Sequence, residues 1–386
     1  MNNTDLKHLI QKQKSNFSLD QEFYINQHIF DLDIKNIFSK QWVFVGHVSR
    51  IPNYGDYFLF NIGKESIIII RDKDSSVHAH YNVCRHRGSH ICLENEGNTK
   101  ALICPYHAWT YNLDGSLRGA RLMEKGFDKN QWHLHECNVK IFEGLIFINL
   151  SEKPNSFDEF ISPTKKFIEF HGLADAKIAH RQYYPTHGNW KLTLDNFHEC
   201  YHCHPSHPEY CQVHDKEYII AYGAGSNTGP ASEKFDRVLS EWNEKVKKMG
   251  HLTGEYSETE FNDYSRSAER TPLKEGMFTE TKSGKPVSKL MGKFTDYDCG
   301  YTSVGTSPFN SLLMCNDFAT LFTFIPVSPL YTQVELMWLV HKDAEEGKDY
   351  NLDEMKWMWD VTTIADKRII EDNQKGVLSE KYIPGP

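Results

Sequence analysis

The spacing of hydrophobic and polar positions changes along the chain, and each spacing predicts a different element. Apolar residues three or four apart between Phe17 and Trp42 predict helical turns. From about Val43 to Leu150 the pattern becomes short runs bounded by Gly, Asn or Asp, which predict strands. The predicted strands are Asp56–Ile62, Ser66–Arg71, Val77–Tyr81 and Leu145–Asn149, with a hairpin turn at Asn112–Gly115.

A polar join near residues 151–155 leads into a second patterned region. Its predicted elements are a helix near Asn189–His202, strands at Ala319–Pro326 and Gln333–His341, and a final helix near Leu352–Lys375. Residues 226–295 are polar and predict surface helices and loops. We therefore expect an α+β protein with an N-terminal helical segment (1–45), a β-rich domain (46–150) and a second domain (151–386).

Composition narrows the class of protein. The 386 residues, 39% of them hydrophobic and 25% charged, suffice for two globular cores. A net charge of −9 without a basic stripe argues against a nucleic-acid partner. The start of the chain lacks the apolar core of a signal peptide, and the longest aliphatic run, Ile67–Ile70, is too short to cross a bilayer. We expect a cytoplasmic protein without a membrane partner, whose nine cysteines are thiols and metal ligands.

Two short arms form the first candidate metal site. Cys84-x-His86 and Cys104-x-x-His107 are separated by residues 87–103. A Rieske [2Fe–2S] cluster binds two Cys on one iron and two His on the other, so arms that each supply one Cys and one His suit it. The alternative is a structural zinc site, but zinc arms more usually pair Cys with Cys and His with His. The mixed arms favour the Rieske cluster.

The predicted helix Asn189–His202 carries the second candidate site. Asp195, Glu199 and His202 share one face of it, and two acids and an imidazole beside a buried stripe favour a bound cation. His207 lies five residues beyond His202, and the prolines around it break the helix and can return it to the same side. Two His and one carboxylate form the ligand set of non-haem Fe(II) oxygenases.

The third ligand of this set is expected on the final helix. Asp366 is the acid on its inward stripe, whereas Asp360, Glu371 and Asp372 fall on other faces and are expected to be solvated. The alternative interpretation makes His202 and His207 core histidines and Asp366 a surface charge, but a Rieske cluster requires an electron acceptor. Asp195, His198 and His204 rank below the triad, with Asp195 a candidate partner of a ligand.

Both sites resemble those of the α-subunit family of Rieske ring-hydroxylating and demethylating oxygenases. The resemblance spans essentially the whole chain and is closest to the quaternary-ammonium group: stachydrine and glycine betaine demethylases, with carnitine and choline monooxygenases further off. It is carried by Cys84–Ser89, Cys104–Tyr111, Asn189–His207, Trp338–Ala344 and Asp366–Pro386. It implies a Rieske domain followed by a helix-grip catalytic domain with an antiparallel sheet and a long C-terminal helix.

The resemblance also implies how such a protein works. A head-to-tail homotrimer is expected, in which Glu199 bridges His202 to His107 of the partner subunit. A separate flavin and iron–sulfur reductase supplies electrons, since this chain shows no nucleotide-binding fingerprint. Mononuclear Fe(II) and O2 then hydroxylate an N-methyl group of a quaternary ammonium substrate, releasing formaldehyde.

The substrate cation should be held by aromatic faces, expected within Cys299–Phe324. The candidates there are Tyr301, Phe309, Phe318, Phe322 and Phe324. Alternatives remain open. They are a Rieske oxygenase acting on an aromatic acid, a choline- or carnitine-type monooxygenase, an electron carrier of the Rieske ferredoxin kind, and a zinc-stapled binding protein.

Overall fold

The computed structural model describes residues 3–223, 230–257 and 266–386, and the chain forms two compact units. One unit is Phe38–Phe157, and the other joins Met1–Ile37 to Asp158–Pro386. The predicted boundaries at 45 and 150 therefore differ from those of the units. The reason is packing, because Trp42 lies edge-on to Phe157 with ring centroids 5.0 Å apart and holds both ends of the first unit together.

The N-terminal helices belong to the second unit because their polar groups are bonded there. The backbone carbonyl of Tyr24 accepts a hydrogen bond of 2.8 Å from Asn189, and Asp33 forms an ion pair with Lys191. Trp190 also donates its ring N–H to Asp33, at 3.1 Å. The predicted helical segment is thus part of the larger unit rather than a separate one.

The smaller unit is built from short antiparallel strands. These are β1 Val43–His47, β2 Asp56–Ile62, β3 Glu65–Arg71, β4 Val77–Tyr81, β5 Glu96–Asn98, β6 Leu102–Ile103, β7 Thr110–Tyr111, β8 Leu117–Gly119, β9 Asn138–Phe142 and β10 Leu145–Asn149. They form sheets in the orders β1-β10-β9, β4-β3-β2-β5 and β6-β7-β8. Gly115, with a φ of 84°, makes the predicted turn between β7 and β8.

The larger unit is a sheet with helices around it. Its helices are α1 Asn3–Lys12, α2 Glu22–Ile25, α3 Gln27–Asn36, α4 Phe157–Ile161 (which begins at the unit boundary), α5 Lys165–His171, α6 Trp190–His198, α7 Cys203–Ser206, α8 Pro208–Val213, α9 Lys216–Gly223, α10 Pro230–Lys248 and α11 Leu352–Val377. Its strands are β11 Ala176–Thr186, β12 Gly254–Ser257, β13 Ser267–Pro272, β14 Gly300–Gly305, β15 Asn310–Met314, β16 Phe318–Ser328 and β17 Tyr331–His341.

The seven strands pair antiparallel in the order β11-β17-β16-β15-β14-β13-β12, and α11 packs against β11 and α6. This confirms the predicted α+β class and the long C-terminal helix. Asn189 starts α6 by accepting a hydrogen bond from the Lys191 N–H, and Asn351 starts α11 in the same way through Glu354. No helix of the described ranges is long and apolar enough to span a membrane.

The prediction that residues 226–295 form only surface helices and loops is wrong where the structure describes them. Two strands, β12 and β13, lie in this segment and extend the sheet. Strand β13 is largely buried although its sequence is polar, because Arg270 is 1% exposed and donates to both carboxylate oxygens of buried Asp298, each at 2.9 Å. Residues 226–229 and 258–265 lie outside the described residues.

Candidate metal centres

The two cysteine arms of the smaller unit form turns with the same backbone hydrogen bond. In each arm the cysteine carbonyl accepts a hydrogen bond from the N–H four residues on. Gly88 donates to Cys84 at 2.9 Å, and Ala108 donates to Cys104 at 3.0 Å. The donor residues have φ values of 76° and 61°, in the left-handed region that reverses the chain within one turn. Both arms therefore present their side chains from tight, matching loops.

The loops bring the four predicted cluster residues together. Cys84 and Cys104 are buried, and the rings of His86 and His107 meet edge to face with centroids 4.6 Å apart. Trp109 stacks on the His86 ring at 4.9 Å. The Nδ1 of His86 is buried and has no hydrogen-bond partner among the described residues. A buried nitrogen without a partner is costly, and a metal ion satisfies it, so these residues fit a cluster.

Tyr111 supports the thiol side of this site. Its hydroxyl lies 3.4 Å from the Cys84 Sγ and accepts the Arg85 N–H at 3.1 Å. Burial raises the pKa of Cys84, and the neighbouring thiol of Cys104 raises it further, whereas Tyr111 lowers it. The raised pKa of Cys84 favours its protonated thiol, and coordination to iron would replace that proton.

In the larger unit, His202, His207 and Asp366 come together although Asp366 is distant in sequence. Their ligand atoms all lie within 4.8 Å of one another. The Nε2 atoms of His202 and His207 lie 3.2 and 2.9 Å from the same oxygen, Oδ1 of Asp366. Asp366 stands in the middle of α11, and the two histidines flank α7. The long helix and the sheet thereby fix one ligand against the other two.

Each of the two histidines is also hydrogen-bonded to a second carboxylate through its Nδ1, the ring nitrogen that faces away from Asp366. The Nδ1 of His202 donates to Glu199 at 2.5 Å, and the Nδ1 of His207 donates to Glu209 at 3.1 Å. Glu209 is buried and also accepts a hydrogen bond of 3.0 Å from Thr362. Carboxylates in this position fix the tautomer and the ring orientation of metal-binding histidines.

This arrangement requires a positive charge between the rings and Asp366. A neutral imidazole whose Nδ1–H is donated to a glutamate has a bare lone pair on Nε2, which would face the carboxylate oxygen. Burial would raise the pKa of Asp366, but hydrogen bonds from His202 and His207 outweigh it and the pKa is lowered. Although burial opposes it, hydrogen bonds to Asp366 and Glu199 raise the pKa of His202 to about 9. A divalent cation meets the same requirement, so the site fits mononuclear iron.

The predicted helix Asn189–His202 ends early, and its stripes are not continuous. Helix α6 stops at His198, and Glu199 is extended with φ −120° and ψ 144°. The other oxygen of Glu199 accepts the Tyr201 N–H at 2.5 Å, which competes with a further helical turn. Tyr201, predicted on the apolar stripe, is 79% exposed. Glu199 therefore reaches His202 across a turn rather than along a helix face.

The remaining candidates lie apart from the triad. Asp195, His198 and His204 do not join the three clustered ligand atoms of the described residues. Asp360 and Glu371 were expected to be solvated, but Asp360 accepts the Tyr184 hydroxyl at 2.6 Å and Glu371 accepts the His187 N–H at 3.0 Å. Asp372 is exposed and pairs with Lys375 at the surface.

A cavity of about 250 Å³ adjoins the triad. The aromatic side chains that line it are Phe197, Tyr210, Tyr218, Tyr301 and Trp359. Of the predicted cage residues, Tyr301 lines this cavity, and Phe322 and Phe324 line a smaller one of about 20 Å³ that also borders Asp366. Phe309 and Phe318 line neither cavity. Phe318, Phe322 and Phe324 occupy alternate positions on one face of β16 and are buried. The ring centroid of Phe197 in α6 lies 5.1 Å from that of Phe322 and 4.8 Å from that of Phe324.

A buried network of hydrogen bonds and ring contacts orients Tyr210, Tyr301 and Trp359, which we call the aromatic wall of the cavity. Glu280, fully buried, accepts hydrogen bonds from His214 and from the Trp359 ring N–H, both at 3.0 Å. Tyr210 stacks on His214 with centroids 4.0 Å apart, and Tyr301 meets it edge-on at 4.9 Å. One carboxylate thus orients three of the cavity's rings.

Sequence reasoning missed Glu209 and Glu280. Glu209 stands two residues after His207, and a carboxylate so close to a predicted ligand was a usable signal. Glu280 lies in the polar segment taken for surface, and its burial depends on partners from distant parts of the chain. No local pattern marks it.

Comparison with known proteins adds the family. The model of the Rieske [2Fe–2S] domain matches residues 41–142, and that of the ring hydroxylating alpha subunit catalytic domain matches residues 173–386. The glycine betaine monooxygenase oxygenase subunit of Pseudomonas aeruginosa is 36% identical over 384 residues, covering 98% of this chain and 86% of that one. The carnitine monooxygenase oxygenase subunit of Escherichia coli is 39% identical over 197 residues, 50% of this chain and 52% of that one.

A solved structure with a similar fold belongs to a protein of the same kind. That of a quaternary ammonium Rieske monooxygenase is 25% identical, with a TM-score of 0.71 over 96% of this chain and 88% of that one. The two family models that match this chain are those of the predicted cofactor domains, and the relatives are named as monooxygenases. The chain therefore belongs to the ring-hydroxylating α-subunit family of Rieske oxygenases, as an oxygenase component with a [2Fe–2S] domain and a mononuclear-iron monooxygenase domain.

Proposed function

We propose that this protein removes an N-methyl group from a quaternary ammonium compound by hydroxylating a C–H bond of that methyl group. The observation that carries the proposal is the aromatic cavity placed directly against the His–His–Asp group. A quaternary ammonium ion has no N–H to donate, so aromatic faces are its natural partners. The names of the relatives, which act on glycine betaine and carnitine, support the same class of substrate.

The geometry of the two clusters supports an assignment of the metal ligands. We assign Cys84, His86, Cys104 and His107 to the [2Fe–2S] cluster, and His202, His207 and Asp366 to the mononuclear iron. When bound, the iron supplies the activation of O2 for attack on a C–H bond. Glu199 and Glu209 keep the two histidines in the tautomer that binds metal through Nε2.

The aromatic wall performs the positioning. Tyr210, Tyr301 and Trp359 hold the cationic head so that a methyl group faces the triad, and the apolar surface excludes water. One oxygen atom of O2 enters the C–H bond and the other leaves as water, with two electrons and two protons. The hydroxymethyl ammonium then loses formaldehyde as its C–N bond breaks and its hydroxyl proton passes to the amine.

Electrons come from outside the chain in this proposal. A flavin and iron–sulfur reductase reduces the cluster, and the subunits form a homotrimer in which Glu199 links His202 to His107 of the partner subunit. The exposure of Glu199 supports this role, because its carboxylate is 45% exposed and has lone pairs left beyond its two hydrogen bonds.

The test is a substrate screen on the iron-loaded protein with a reductase and NADH. Trimethylammonium compounds should stimulate NADH oxidation and release formaldehyde in proportion. Aromatic acids serve as the comparison series. Stimulation by aromatic acids alone, without formaldehyde from any quaternary compound, would overturn the proposal.

A further inference from the structure

The cavity contains a carboxylate that the metal site does not use. Glu269 of β13 pairs across the sheet with Ser303 of β14, and Ser303 with Leu313 of β15. All three residues line the cavity, so this row forms part of its floor. Glu269 therefore faces the space in which a substrate would lie.

Glu269 has no cationic partner in the described structure. Its Oε1 accepts a hydrogen bond of 2.8 Å from the Tyr218 hydroxyl, and no Lys, Arg or His of the described residues forms an ion pair with it. Its cross-strand neighbour on β12 is a second acid, Glu255. Burial raises the pKa of Glu269; the Tyr218 hydrogen bond lowers it, the charge of Glu255 raises it, and nearby His214, which is hydrogen-bonded to Glu280, lowers it. Glu269 is half-buried, and a carboxylate with one protein donor has lone pairs left for a further partner in the cavity.

The anionic end of a zwitterion needs a positive side chain beside it. The described cavity residues include neither Lys nor Arg. The side chains of residues 220–229 and 258–265 lie outside the described structure; in the sequence these two segments contain no Lys or Arg, and their charged residues are Glu258, Glu260 and Asp263. A substrate carboxylate at the cavity floor would face Glu269 without a compensating cation, which disfavours binding.

We propose that the substrate carries a net positive charge and no carboxylate, and that Glu269 accepts a hydrogen bond from its polar end. A quaternary ammonium alcohol has this chemistry: the aromatic wall takes the cationic head, and Glu269 takes the hydroxyl. The inference rests on the proposed function and narrows it. It distinguishes this chain from its relatives named for zwitterionic substrates.

The experiment compares two trimethylammonium probes, choline and glycine betaine, on the iron-loaded protein. Binding is measured anaerobically by calorimetry, and formaldehyde release is measured separately. Choline should bind about tenfold more tightly or better, the size of one hydrogen bond to a charged group. Glu269→Gln should reduce that preference by a similar factor, through KM rather than kcat, with unchanged iron content.

Glu255→Gln is the matched control, an exposed acid on the neighbouring strand that should leave the preference intact. Tighter binding of glycine betaine by the parent protein overturns the inference, as does an unchanged preference in Glu269→Gln. If choline binds preferentially but neither probe yields formaldehyde, the substrate class stands and the demethylation proposal fails. If the Glu269→Gln variant is unstable, the relative affinity of the parent protein for choline and glycine betaine still tests the inference.

Discussion

At the scale of single residues, Glu199 and Glu209 make the same hydrogen bond in different surroundings. Each accepts the Nδ1–H of one histidine of the triad. Glu209 is buried and its remaining contact is Thr362, whereas the Glu199 carboxylate is 45% exposed. The buried carboxylate can act only on its histidine, but the exposed one can also contact another molecule. We therefore expect substitutions at the two positions to separate metal binding from electron transfer.

Glu209→Gln should weaken binding of the mononuclear iron by roughly 10–100-fold, the usual effect of removing a carboxylate behind a metal-bound histidine. The amide leaves His207 without its charged acceptor. Iron retention during dialysis against a chelator measures this, while cluster absorption should stay unchanged. A variant that keeps its third iron as firmly as the parent contradicts the role given to Glu209.

Glu199→Gln should keep both metal centres and bind substrate, yet turn over very slowly. The amide has one acceptor oxygen, so it cannot serve His202, Tyr201 and a histidine of the partner subunit together. The measurement is reoxidation of the reduced cluster after substrate and O2 are added. Reoxidation at the parent rate with the mononuclear site filled would show that Glu199 only orients His202.

Asp366→Ala should lower the iron content from about three to about two per chain and abolish product formation, while the cluster remains reducible. Asp366 is the carboxylate that meets both Nε2 atoms. Metal analysis and the visible spectrum measure the two centres separately. Asp372→Ala, at an exposed position of the same helix, is the control. If Asp360→Ala or Glu371→Ala loses the iron instead, the wrong carboxylate was chosen.

At the scale of elements, α11 and the turn before α6 set the distance between the ligands. A Cβ built on Gly188, in that turn, would lie 2.6 Å from the Cγ2 of buried Ile370. Ile370 stands four residues after Asp366 on α11. The close approach of these two elements therefore holds the carboxylate near the histidines.

Gly188→Ala should destabilise the larger unit by about 1–3 kcal/mol, the usual effect of overpacking. Gly376→Ala is the matched control on α11, because its Cβ would meet nothing within 4 Å, and removing a helical glycine should leave stability unchanged or raise it by up to about 1 kcal/mol. Denaturant unfolding followed by tryptophan fluorescence measures both variants. Equal stability of the two would mean that the contact is looser than described.

The end of α6 shows where sequence patterns stop being informative. The apolar spacing predicted a helix as far as His202, yet the chain leaves it after His198. The cause is a side-chain contact, the hydrogen bond of Glu199 to the Tyr201 N–H, which no periodicity reveals. Strand β13 was missed for a related reason, since Arg270 and Asp298 neutralise each other inside the protein and leave a polar sequence at a buried position.

At the scale of the whole molecule, most of the architecture could be predicted. The cysteine arms, the strand-rich unit and the final helix follow from residue spacing alone. The assignment of Met1–Ile37 to the larger unit could not, because it depends on contacts such as Asp33 with Lys191 that join distant parts of the chain. The aromatic lining was predicted only in part: Tyr301 was among the candidates, whereas Tyr210 and Trp359 were not. Aromatic residues in a central strand and in a cavity wall look alike in sequence.

The central claim is that one chain joins an electron-carrying cluster to an iron site that demethylates a quaternary ammonium ion. The most direct test is a single turnover without reductase. The iron-loaded protein is reduced chemically under anaerobic conditions and then mixed with O2 and either choline or glycine betaine. The account predicts that the cluster reoxidises rapidly and formaldehyde appears, and that Asp366→Ala gives no formaldehyde. A parent protein with both centres filled that yields no formaldehyde from either compound would contradict it.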